Sequence, residues 1–95
     1  MKFLENLDFN KKEITTVEKN TSELLANQIK EQKDVVTENL KYLKELGVKN
    51  YREIFTNYSE MFLMDNSNFI EIFAKYDRED LIEKLEKNMA IIEYL

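Results

Sequence analysis

The carboxylates of this sequence are the side chains whose spacing indicates a binding surface. Four of them fall in one predicted helix: Glu79, Asp80, Glu83 and Glu86. Glu79, Glu83 and Glu86 are separated by four and three residues, so a helix places them on one face. Such a row can imitate nucleic-acid phosphates toward a basic protein groove. The alternative, a solvated outer face, is favoured because Lys84 and Lys87 can pair with these acids locally.

Tyrosines are the second candidates for binding. An aromatic series with helical spacing follows Gly47: Tyr51, Phe55, Tyr58, Phe62, Phe69, Phe73 and Tyr76. It could stack nucleic-acid bases, but a stripe at this spacing usually forms a core, and we expect a core here. Because a tyrosine hydroxyl favours the boundary with water, we expect Tyr51 and Tyr58 at an exposed edge, available to a partner.

Two further groups of residues have an ordinary structural explanation. Met61, Met64 and Met89 could form an adaptable binding surface, although filling gaps in a core is the simpler role. The loop 65–68 is rich in oxygen ligands, but it lacks the central glycine and the closing glutamate of a calcium loop. We therefore predict no metal site at this loop.

Most catalytic side chains and loops are absent from the sequence. The 95 residues include no cysteine, no histidine, no proline and one glycine. Disulfides, thiolate or imidazole zinc sites and nucleophile–histidine catalysis are thereby excluded. A glycine-rich loop that could hold a phosphate is also missing. We predict a protein that is not an enzyme and that uses no cofactor.

The net charge of the chain indicates which kind of partner it can bind. The net charge is −5, and residues 47–95, with six basic and ten acidic side chains, carry −4 of it. An acidic chain without a basic stripe is poorly suited to nucleic acid, so a basic protein partner is favoured. No run approaches the roughly 20 apolar residues of a membrane span, and no apolar signal segment follows Met1. We expect a cytoplasmic location, inside a bacterial or host cell, without membrane association.

The longest predicted element precedes Gly47. Apolar residues recur every three or four positions from Leu25 to Leu43, which predicts one long helix over about residues 21–46. Gln32 interrupts this stripe, so a break near Lys33 and Asp34 is the alternative. Glycine accepts the left-handed conformation at a helix end, and the helix is therefore expected to stop at Gly47.

Shorter helices surround this element. Asn10 with Glu13, and Asp77 with Asp80, have the spacing of helix N-terminal caps, and Asn50 can cap a helix over about 51–57. Another helix is predicted over about 68–76. Residues 1–9 form an arm or short helix whose apolar side chains dock on the body. The fold class is therefore all-α: a single domain, 1–95, built as a small helical bundle with several short aromatic-rich helices.

A family resemblance covers about residues 36–76. The stretch Leu43-Lys44-Glu45-Leu46-Gly47-Val48, followed by a short helix and Glu60-Met61-Phe62-Leu63, is similar to one repeat of the mitochondrial transcription termination factor (mTERF) family. The proline typical of that family is absent, and Tyr58 or Ser59 stands near its place. The resemblance implies helical-repeat-like packing. The family's nucleic-acid binding needs a long array with a basic path, and this chain has neither.

These observations predict a small acidic protein that acts by stoichiometric binding to a protein partner. A bacterial or phage-encoded inhibitor of a basic nucleic-acid-binding protein, similar to an anti-CRISPR factor, is the concrete form. The partner-binding candidates are Tyr51, Tyr58, Glu79, Asp80, Glu83 and Glu86. The first alternative is an mTERF-like helical module associated with nucleic acid. A second alternative is a homo-oligomer that pairs through the apolar segment 91–95 or through the apolar stripe from Leu25 to Leu43.

Overall fold

Helices are the only regular elements of the computed structural model, which describes residues 1–95. Six are α-helices: α1 (Lys11–Asn20), α2 (Glu23–Glu31), α3 (Lys33–Leu46), α4 (Tyr51–Asn57), α5 (Asn66–Ala74) and α6 (Arg78–Lys87). Three are 3-10 helices: N-terminal (Lys2–Leu7), central (Ser59–Leu63) and C-terminal (Met89–Tyr94). The predicted all-α bundle is confirmed. None of the helices combines the length and the apolar character needed to cross a bilayer.

Polar side chains define several helix starts. The Asn10 side chain accepts from the Glu13 amide, and the Glu13 carboxylate accepts from the Asn10 amide, so the predicted reciprocal cap is confirmed. Asp77 likewise accepts from the Asp80 amide at 3.0 Å. Helix α4 starts after Asn50 as predicted, but the predicted side-chain cap is wrong: the Oδ1 of Asn50 accepts no hydrogen bond, and its Nδ2 donates to the Leu85 carbonyl at 3.0 Å. That contact joins the start of α4 to α6.

The single long helix predicted over 21–46 is wrong, and the alternative, a break near Lys33 and Asp34, is correct. Gln32 has φ −107° and ψ 31°, outside the helical range, and divides the segment into α2 and α3. Both helices keep buried apolar faces, with Ile29 in α2 and Val36 in α3 fully buried, whereas Gln32 is exposed. A bend at the one polar position of the stripe lets each helix pack its own apolar face on the body.

The helix end at Gly47 is confirmed. Gly47 is left-handed, with φ 104°, and its amide donates to the Lys44 carbonyl while the Val48 amide donates to the Leu43 carbonyl. These two bonds satisfy carbonyls that would otherwise lack partners at the end of α3. Arg78 Nε also donates to the Leu46 carbonyl at 2.7 Å, which ties this turn to α6.

The aromatic series forms the centre of the core. Phe55, Phe62 and Phe69 are fully buried and touch in sequence, with ring centroids 5.1 and 5.2 Å apart. Phe73 extends the contact at 4.9 Å from Phe69. The expected core is confirmed over these positions, whereas Tyr76 at the end of the series is 42% exposed. The N-terminal segment is tied down as expected, because Leu4, Leu7 and Phe9 are buried in the same cluster.

A buried amide fixes the turn between the central 3-10 helix and α5. Asn39 in α3 is fully buried, and its Nδ2 donates to the carbonyls of Phe62 at 2.9 Å and Met64 at 2.8 Å. Its Oδ1 accepts from Asn66 Nδ2 at 2.9 Å. Both the Nδ2 and the Oδ1 of Asn39 are therefore hydrogen-bonded to the turn. These bonds hold Met64 at a defined place beside the core.

Candidate protein-binding surfaces

The outer face of α6 carries the predicted acidic row. Leu81 and Leu85 are buried on the inner side, and Glu79, Asp80, Glu83 and Glu86 are all exposed. This is the arrangement that the helical spacing predicts, with the apolar residues inward and the carboxylates outward. The structure therefore brings the four acidic candidates together on one short helix.

Lysines neutralise part of this acidic row. Lys84 Nζ lies 2.9 Å from Asp80, and Lys87 Nζ lies 2.8 Å from Glu83. The hydrogen bond from Lys87 to Glu83, together with their attraction, raises the pKa of Lys87. Glu79 and Glu86 form no salt bridge and are the carboxylates left for a partner. Exposed salt bridges of this kind contribute little to stability, so their carboxylates can readily exchange a lysine for a cationic group of a partner.

Tyr51 is not the exposed residue that the sequence predicts. It is 5% exposed, and its hydroxyl donates to the Leu7 carbonyl at 2.7 Å. Burial and the nearby Asp8 carboxylate raise the pKa of Tyr51. The reason is tertiary: the N-terminal segment folds over α4 and supplies the hydroxyl with an internal acceptor. Tyr51 therefore holds the N-terminal segment and offers no surface to a partner.

Asp8 stands beside this buried hydroxyl in an unusual conformation. It has φ 70°, and its carboxylate lies 2.6 Å from Lys44 Nζ. The hydrogen bond and positive charge of Lys44 lower the pKa of Asp8, and the same hydrogen bond and the negative charge of Asp8 raise the pKa of Lys44. Arg52 adds a bond from its guanidinium to the Asp8 carbonyl at 3.0 Å. These contacts close the N-terminal segment onto α3 and α4.

Tyr58, the second tyrosine candidate, lines a surface groove. The groove has a volume of about 610 Å³ and is lined by residues of α2, α5, the ends of α1 and α4, and the central and C-terminal 3-10 helices. Seven hydrophobic residues line it: Leu25, Tyr58, Met61, Met64, Ile72, Ile92 and Leu95. Two of the three methionines that the sequence suggested for either a core or a binding surface, Met61 and Met64, thus contact the core and line the groove, whereas Met89 packs against the core without lining the groove.

The groove is a feature that the sequence pattern does not reveal. Its lining residues extend from Asn20 to Leu95, and no local spacing connects them. Seven of them, Thr56 to Met61 and Met64, come from one short stretch that runs from the end of α4 through the central 3-10 helix to the residue after it.

The fold defines a small all-helical bundle with an acidic helix face and an apolar groove. Comparison with protein-family models, curated proteins and solved structures found no match to this chain. The resemblance to an mTERF repeat therefore stays a prediction. No group of three or more carboxylates lies close enough to hold a metal ion.

Proposed function

We propose that this protein acts by stoichiometric, non-catalytic binding to a basic protein partner, as an inhibitor of a nucleic-acid-binding protein would. The observation that carries the proposal is the exposed row Glu79, Glu83 and Glu86 on α6, in which Glu79 and Glu86 have no cationic partner. Carboxylates at this spacing present negative charge on a rigid helix face, which complements a groove that binds phosphates.

Distribution of charge also supports this proposal. The chain has a net charge of −5 with 14 basic and 19 acidic side chains, and the excess lies in residues 47–95. Several carboxylates of that half are exposed and unpaired, including Glu53 and Glu71 on α4 and α5. A surface of this sign attracts a basic partner over several ångströms and repels nucleic acid itself.

A displacement assay tests the proposal. The protein is titrated into purified RNA-guided nuclease complexes that hold a fluorescent DNA duplex, and DNA release is followed by anisotropy. We expect one-to-one displacement that weakens as salt rises, because exposed charges are screened. The triple variant Glu79→Gln, Glu83→Gln, Glu86→Gln should weaken displacement about tenfold, since each exposed pair contributes a modest free energy.

A matched control separates this surface from net charge alone. Glu31→Gln, Glu38→Gln and Glu45→Gln change the charge by the same amount at exposed positions on α2 and α3. This control should displace DNA as well as the unchanged protein does. Equal weakening by both triple variants, or no dependence on salt, would contradict the proposal. Salt-sensitive DNA binding by the isolated protein would instead support the nucleic-acid module.

A further inference from the structure

We infer that the apolar groove is a docking site for an amphipathic helix of a partner protein, with lysine or arginine residues flanking the apolar face of that helix. The inference shares with the proposed function the premise of protein binding, but it concerns a different surface and makes no use of α6. It follows from the lining, the charges, and the state of the polar groups in the groove.

Two exposed apolar side chains are sequence neighbours of residues that line the groove. Leu24 is 71% exposed and Tyr94 is 83% exposed, the two highest values among the large hydrophobic residues of the chain. Leu24 precedes the lining residue Leu25, and Tyr94 lies between the lining residues Glu93 and Leu95.

Carboxylates provide all of the charge along the groove. Among its lining residues only Glu60 and Glu93 have side chains that are charged at neutral pH, and no lysine or arginine lines it. Both carboxylates are exposed, and neither forms a salt bridge. An apolar floor with an acidic border complements a segment that is apolar on one face and basic at its edges.

Most polar groups lining the groove are already engaged within the protein. Ser59 and Thr56 donate their hydroxyls to the carbonyls of Phe55 and Arg52, four residues earlier in each case. Asn20 donates its amide to the Thr56 carbonyl at 3.4 Å. Few hydrogen-bonding groups remain to orient a small polar ligand, which usually relies on several placed polar contacts.

The same shortage of free hydrogen-bonding groups indicates which conformation a docked segment would have. The protein has no β-strand, so an extended peptide would find no sheet edge on which to satisfy its backbone groups. Buried peptide groups without partners are costly. A helix satisfies its own backbone and presents only side chains, and the flexible thioethers of Met61 and Met64 can adapt to those side chains.

A designed peptide provides the test. The probe is a capped helical peptide of leucine and lysine, with leucine at positions i, i+3, i+4 and i+7, and binding is followed by calorimetry and by methyl NMR of the full-length protein. We expect one-to-one binding that shifts the Met61, Met64 and Ile72 methyl signals. A peptide of the same composition with alternating leucine and lysine, and a helical leucine–glutamate peptide, should both bind much more weakly.

Border variants make the test specific without disturbing the core. Glu60→Lys with Glu93→Lys should weaken the lysine peptide about tenfold and strengthen the glutamate peptide, because the two charges change sign at exposed positions. Glu38→Lys with Glu45→Lys on α3 applies the same charge change away from the groove and should leave both affinities unchanged.

Three outcomes would overturn the inference: methyl shifts confined to residues outside the groove, equal binding of the alternating peptide, or no response to the border variants. Light scattering that shows a dimer, with the Met61 and Met64 methyls protected in it, would assign the groove to a second copy and also overturn it. The neutralised α6 triple variant should bind the peptide normally. Failure of the groove and failure of the proposed function are thus separate results.

Discussion

Replacing Asn39 by leucine tests the structural logic of the groove most directly. Leucine has nearly the shape of asparagine, so Asn39→Leu removes the amide without opening a cavity. The carbonyls of Phe62 and Met64 and the amide of Asn66 then lose their partner at once. The first of these bonds is buried and the other two are partly buried, so water can reach only some of the freed groups.

The magnitude follows from these three bonds. An unsatisfied buried polar group costs about 1–3 kcal/mol, and a group that water can reach costs less. We therefore expect Asn39→Leu to lower the free energy of unfolding by about 3 kcal/mol. For a chain of this length, with a total of about 5–14 kcal/mol, that loss should lower the midpoint of thermal unfolding by about 10–20 °C.

Urea unfolding followed by circular dichroism measures this loss. Asn66→Ala breaks only one of the three bonds and should cost about 1 kcal/mol. Glu38→Ala, at the exposed position beside Asn39, should change stability by less than about 0.5 kcal/mol. A cost for Asn39→Leu no larger than that of Asn66→Ala would refute the role of this amide in fixing the turn.

Three further predictions concern the turn after α3 and the N-terminal segment. Tyr51→Phe should cost about 1–2 kcal/mol in urea unfolding, because the Leu7 carbonyl loses its buried donor, and an unchanged midpoint would contradict this. Gly47→Ala should cost about 1–2 kcal/mol by the same measurement, because φ 104° is strained for alanine, and equal stability would disprove that strain. Lys44 lowers the pKa of Asp8 below its ordinary value of 3.8, so the stability from this pair is present above that value and is lost as pH falls through the lowered pKa. Lys44→Gln should therefore reduce the drop in the midpoint of thermal unfolding on acidification. If the midpoints of the variant and of the unchanged protein depended on pH in the same way, the Asp8–Lys44 pair would have no stabilising role.

Local patterns were sufficient for much of the fold. The caps at Asn10 and Asp77 depend on side chains that reach backbone amides three residues away, and the stop at Gly47 depends on one residue's conformational freedom. The burial of Phe55 and Phe62 follows from helical spacing of large apolar residues. These features involve interactions within a few residues, so the sequence pattern contains the information they need.

The candidate surfaces were predictable in unequal measure. The acidic face of α6 follows from spacing alone, because the helical period determines which residues lie on the face opposite the buried one. Tyr58 is half-buried, as expected of a boundary residue, but the groove it lines is assembled from six helical elements that are spread along the chain. The residue pattern of one helix contains no information about which neighbouring helices will leave a groove beside it.

The sequence by itself determined the all-helical class, the position of the helix stop, the aromatic core and the outward direction of the α6 carboxylates, because each is a consequence of local geometry or of hydrophobic period. Only the tertiary structure decided that the chain bends at Gln32, that Tyr51 is buried and that Asn50 donates to Leu85. The physical reason is that a polar group takes whichever partner the folded chain brings near it, and those partners lie 35 or more residues away in the sequence for Asn50 and Tyr51.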